Sequence, residues 1–114
     1  MKEGFDKLKL ADEKLVVLLN DGDEEAFEIL YDRYAKPVFN FFYMKLNSKE
    51  KAEDFLQNLF VKLIEKGSQF DEQEVFRIWF YTLAHNQCKN EYRTLSRSRV
   101  EYTNVEDNRL VNNW

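Results

Sequence analysis

Apolar residues recur along most of this chain at intervals of three and four, the spacing that places them on one side of an α-helix. Leu15, Val16, Leu18 and Leu19 follow Asp12, whose carboxylate could accept from the unpaired amides of a first turn, so a short first helix runs to about Leu19. Asn20-Asp21-Gly22-Asp23 reads as a turn. Asp23 is the next cap, and Glu24 and Glu25 favour the positive end of a longer helix striped by Phe27, Leu30, Tyr31, Tyr34, Val38, Phe41 and Phe42. Pro37 lies inside that stripe, and the register resumes after it, so the spacing predicts one bent helix to about Leu46.

Asn47-Ser48 caps a third helix with Ala52, Phe55, Leu56, Leu59, Phe60, Leu63 and Ile64 on its inner face, ended by Gly67. A polar loop to Gln73 carries Phe70, expected at the surface. A fourth helix begins near Glu74, with Val75, Phe76, Trp79, Phe80, Leu83 and Gln87 on one face, and runs to about Leu95. From Ser96 the stripe fades into polar sequence. The fold class is all-α: a compact four-helix bundle with a short first helix, a bent second and long third and fourth helices. Residues 1–99 form the domain and 100–114 a linker or tail.

Composition narrows the chemistry. With 114 residues there is room for one core; 44% hydrophobic and 16% aromatic residues can fill it, and three Gly and one Pro are too few for a many-turned β fold. One cysteine, Cys88, and one histidine, His85, supply neither a disulfide nor a four-ligand zinc site. A Cys88–His85 nucleophilic pair would be neighbours on a helix but would lack an orienting third group and a glycine-rich oxyanion loop. Glu53 and Asp54 are adjacent and point apart, so they cannot share a proton. No enzyme and no cofactor is called for. No secretory leader or spanning run is visible, and the acidic second helix would be repelled by anionic lipid, so the expected setting is cytoplasmic, away from membrane.

The net charge of -4 is unevenly spread. Asp21 to Glu28 holds five acids and no base, whereas Asn86 to Arg99 holds four bases (Lys89, Arg93, Arg97, Arg99) against one acid, Glu91. The outer face of the fourth helix adds Ile78, Tyr81, His85 and Tyr92 to those cations. Rings stack on unpaired bases and cations hold phosphates, so this face suits nucleic acid; cations complementing a helix C-terminus are the plainer explanation. The outer face of the third helix, Asp54, Gln57, Asn58, Val61 and Glu65, surrounds an apolar residue with short acids and amides. Such a face could dock another protein's helix, or be simply solvated.

Three segments together resemble region 2 of the sigma-70 family of bacterial transcription initiation factors, in its extracytoplasmic-function (ECF) group. They are Gly22 to Tyr31 with Arg33-Tyr34, Ala52 to Phe60, and Trp79 to Asn86 with Arg93, spanning roughly residues 12 to 99. The resemblance implies that the chain binds core RNA polymerase, at the clamp helices of its largest subunit, through Asp54, Gln57, Asn58, Val61 and Lys62. The family commonly has an acid where Asn58 stands, and many members have Asp where Asn90 stands. It also implies that the loop around Phe70 and the fourth helix melt and read the non-template strand of the promoter minus-ten element. Phe70, Trp79, Tyr81 and Asn86 would face bases, and Lys89, Arg93, Arg97 and Arg99 phosphates. The second, helix-turn-helix (region 4-like) domain of the family is absent from the sequence. An anti-sigma factor as a further partner is left open. The competing reading is a sigma-like adaptor or antagonist that binds protein alone, for which substituting Asn86 and Lys89 would change nothing.

Overall fold

The computed structural model describes residues 6–99, with side chains described as far as Tyr92. The tail 100–114 assigned above, and the side chains of Arg93, Arg97 and Arg99, lie outside the described residues. Among the described residues four helices pack around one core: α1 (Asp12–Asn20), α2 (Glu24–Leu46), α3 (Lys49–Lys66) and α4 (Phe76–Arg99), with short 3-10 turns at Lys7–Lys9 and Gly67–Gln69. Among the described residues there is no strand, and no helix is long and apolar enough to cross a membrane.

Local chemistry explains most boundaries. Asp23 caps α2 by accepting from the Ala26 amide at 3.1 Å, and Ser48 caps α3 by accepting from Lys51. Gly22 sits at φ 93° between α1 and α2, a conformation that side chains rarely adopt. Asn47 closes α2 in the left-handed region at φ 54°, its N–H donating to the Tyr43 carbonyl. The α2 helix is continuous through Pro37.

Three expectations are corrected and one boundary is refined. Asp12 is not a cap: it is the first helical residue, behind Ala11, and its carboxylate accepts instead from Arg33 at 2.7 Å and from the Tyr34 hydroxyl. Gly67 does not stop α3 through left-handed freedom, since it is right-handed at φ -58° and leads into a 3-10 turn. It is glycine for another reason: a Cβ there would stand 2.7 Å from Oδ1 of Asn20. The start of α4 falls at Phe76, two residues past Glu74, because Asp71 folds the preceding segment, accepting from Gln73 through its side chain and from Glu74 through its carbonyl. Finally, Phe70 is buried at 8% exposure, edge-on to Phe76 and 5.0 Å from Trp79 between ring centroids.

The core is aromatic. Phe42, Phe76 and Phe80 are fully buried, each contributing on the order of 1.5–3 kcal/mol by leaving water. Tyr34 meets Phe76 and Phe80 edge-on, and Phe60 reaches Phe80 from α3, so one ring cluster joins α2, α3 and α4. Ile64, Val75 and Tyr31, expected inside, stand at 57%, 53% and 40% exposure, while Ile29, Ala84 and Cys88 complete the core.

Candidate functional site

The expected docking residues share one side of α3. Asp54, Gln57, Asn58 and Val61 are all exposed, and Lys62 is half-buried beside them. Helical spacing explains the grouping, since Leu56, Leu59, Phe60 and Leu63 take the opposite side into the core. Along one flank runs a groove of about 380 Å³ between α3 and α4, where Asn58, Val61 and Lys62 face Gln87, Asn90 and Glu91. Lys51 bridges to Glu91 at 3.0 Å across the two helices. The groove brings Asn58 and Asn90 together, a juxtaposition that no sequence spacing shows.

Gln87 forms the floor of this groove. It is 7% exposed, and its Nε2 donates to the Phe55 carbonyl of α3 at 3.0 Å. The pairing fixes α4 against α3, and with it the two candidate surfaces relative to each other.

The α4 face is less aromatic than its sequence suggests. Asn86 and Lys89 are exposed as expected, with Ile78 at 63%. Tyr81 is half-buried, its ring edge-on to Phe41 and Tyr34, and burial pushes its hydroxyl pKa up. It packs where the sequence placed a stacking platform. Trp79 is half-buried and borders a shallow apolar groove with Val75, Ile78 and Thr82, so it keeps one side toward solvent while the other touches Phe70 and Phe76. Trp79 and Asn86 are two turns apart, about 10 Å along the axis, on nearly the same side of the helix.

Charge at this end is mixed. Exposed Arg77 is a cation that the sequence reading passed over, whereas Asp71, Glu72 and Glu74 expose acids on the α3–α4 connection. Glu72 pairs with Lys14 of α1 at 3.0 Å. The acids make unaided capture of a phosphate backbone unfavourable here.

The cysteine–histidine alternative finds no support in geometry. Cys88 is fully buried, and burial pushes its thiol up to about 11, away from the thiolate that a nucleophile needs. Among the described residues no cluster of three or more His, Cys, Asp or Glu could hold a metal ion.

Comparison with known proteins gives this arrangement a context. The family model for Sigma-70 region 2 matches residues 30–98. The ECF RNA polymerase sigma factor BldN of Streptomyces coelicolor is 31% identical over 94 residues, covering 82% of this chain and 35% of that protein. The RNA polymerase sigma factor YlaC of Bacillus subtilis is 32% identical over 69 residues, 60% of this chain and 40% of its own. An ECF RNA polymerase sigma-E factor of Haemophilus influenzae is 30% identical over 82 residues, 72% of this chain and 43% of its own. The chain thus spans less than half the length of these relatives. No solved structure matched.

Proposed function

The chain belongs to the sigma-70 region 2 family, and on that premise we propose that it joins core RNA polymerase to promoter DNA at the start of transcription. The α3 face of Asp54, Gln57, Asn58, Val61 and Lys62 docks on the clamp helices of the largest polymerase subunit. The α4 face, through Trp79, Asn86 and Lys89, holds the non-template strand of the minus-ten element, and the resemblance assigns phosphate contacts to Arg93, Arg97 and Arg99. One observation carries the reading: both faces present exposed residues at once, on two helices joined by the Gln87–Phe55 hydrogen bond, so one domain can hold both partners.

The physics is capture and not covalent chemistry. Separating base pairs costs stacking and pairing energy, which is offset when extruded bases enter pockets and cations hold the backbone. Asn86 carries an amide that can bond a base edge at two points. Trp79 offers a ring on this face with a solvent-facing side next to an apolar groove. Phe70, in contrast, supports Trp79 from beneath and reaches a base only if the loop opens. With few cations and an acidic loop, the free chain binds DNA weakly, and polymerase supplies the remaining affinity.

The test is retention of an oligonucleotide carrying a single-stranded minus-ten element by core polymerase loaded with the 114-residue chain. Asn86→Ala and Lys89→Ala are each expected to lower retention about five-fold or more, the scale of one lost base or phosphate contact. Unchanged retention in both variants favours an adaptor that contacts protein alone.

A further inference from the structure

Three polar contacts tie down the segment between α3 and α4, and each is made by a side chain of α1. At its start, Nδ2 of Asn20 donates to the Gly67 carbonyl at 3.1 Å, an approach so close that a Cβ on residue 67 would displace the Asn20 side chain. In its middle, Lys14 pairs with Glu72. At its end, the Phe76 amide, the first of α4, donates to Oε2 of Glu13 at 2.6 Å. A helix normally finds its capping acceptor one to three residues upstream. Here α4 takes its acceptor from a residue 63 positions earlier, so its start is fixed by tertiary structure.

We propose that α1 is a strap for the α3–α4 connection, and that Glu13 and Asn20 are positioning residues for minus-ten recognition although neither reaches DNA. The inference rests on the reading of that connection and of Trp79 as the promoter-facing end of α4. Two rings support Trp79: Phe70, which lies between the anchor points at Gly67 and Phe76, and Phe76, which is the second anchor itself. Slack at either anchor moves the ring and the groove of Val75, Ile78 and Thr82 together. The Lys14–Glu72 pair is half-exposed and contributes little alone. The two part-buried hydrogen bonds carry the restraint.

The experiment compares wild type, Glu13→Ala, Glu13→Gln and Asn20→Ala. Gln keeps an acceptor for the Phe76 amide. Three readouts are taken: retention by core polymerase, hydrogen exchange of the 67–76 segment, and the preference of the polymerase-bound chain among single-stranded oligonucleotides. The oligonucleotides differ in one base of the minus-ten element. Glu13→Ala is expected to raise exchange at Phe76 and flatten the base preference, each about five-fold, the scale of one part-buried hydrogen bond. Polymerase retention stays unchanged, and Glu13→Gln restores both. Asn20→Ala, at a surface position, acts in the same direction from the other anchor. Faster exchange with an intact base preference would overturn the strap while leaving the sigma reading in place. Absence of any base preference in polymerase-bound wild type would overturn both.

Discussion

The side-chain amide of Gln87 donates to the backbone carbonyl of Phe55 at 3.0 Å, joining α4 to α3 at the floor of the groove between them. The other amide atom, Oε1, is buried and has no partner among the described residues. Gln87→Glu therefore places a carboxylate where only its protonated form can donate to Phe55. Its folded pKa must rise above the ordinary glutamate value of about 4.3, so the variant is near wild type below that pH and loses stability as pH rises. At pH 7 a deficit of about 2 kcal/mol or more is expected, the cost of an unpaired buried charge. Urea unfolding at pH 4 and pH 7 measures it; an equal deficit at both would refute the assignment.

Cys88 should be chemically silent in the folded chain. Burial raises its thiol from the ordinary 9.0 to about 11. The unfolded thiol ionises first, so its contribution to stability is intact below pH 9 and lost as pH rises through 11. At pH 8 an aromatic disulfide reagent should react slowly with native protein and fast in urea. Rapid reaction without denaturant would contradict the packing.

Asp12 links α1 to α2 through Arg33 and Tyr34. Asp12→Ala leaves both donors without their acceptor and should cost about 2 kcal/mol, as charge-assisted bonds do when partly buried. Tyr34→Phe should cost less, about 1 kcal/mol, because its ring packing on Phe76 and Phe80 survives. Chemical denaturation of both variants, with Asp12→Ala the milder, would reverse the ranking.

Acid should loosen the start of α2. The Lys7 ammonium and the Ala26 amide both favour ionised Asp23 and hold its pKa below the ordinary 3.8. That stability is complete above pH 3.8 and is lost as pH falls through the depressed value. Asp23→Asn keeps a capping acceptor but cannot titrate. Its thermal midpoint should therefore fall less than wild type's below pH 3.8, and parallel acid limbs would contradict the linkage.

The four helices were legible because Leu56, Leu59, Phe60 and Leu63, and likewise Tyr34, Val38 and Phe42, repeat at helical intervals that burial then honours. The α3 face was legible for the same reason, as the complement of a clear stripe. What sequence could not show was tertiary. Phe70 and Tyr81 were assigned to the surface from polar neighbours or helical angle, yet rings from other elements, Phe76 with Trp79 and Phe41 with Tyr34, enclose them. Asp12 carries the pattern of a helix cap, but its carboxylate serves Arg33 and Tyr34 on α2, and that of Glu13 serves the Phe76 amide of α4. Ile64 falls in the last turn of α3 and Val75 just before α4, and both are more than half exposed.

The central claim is that α3 is the polymerase-docking face, and one comparison tests it most directly. Purified bacterial core RNA polymerase is offered the wild-type chain and an Asp54→Arg, Gln57→Ala variant, with circular dichroism verifying that both are folded. Both positions are exposed, so the substitutions should leave the helical core intact. The account predicts that wild type is retained and the folded variant is lost. Equal retention of the two would remove the docking face from α3, and with it the orientation that brings Trp79, Asn86 and Lys89 to the promoter.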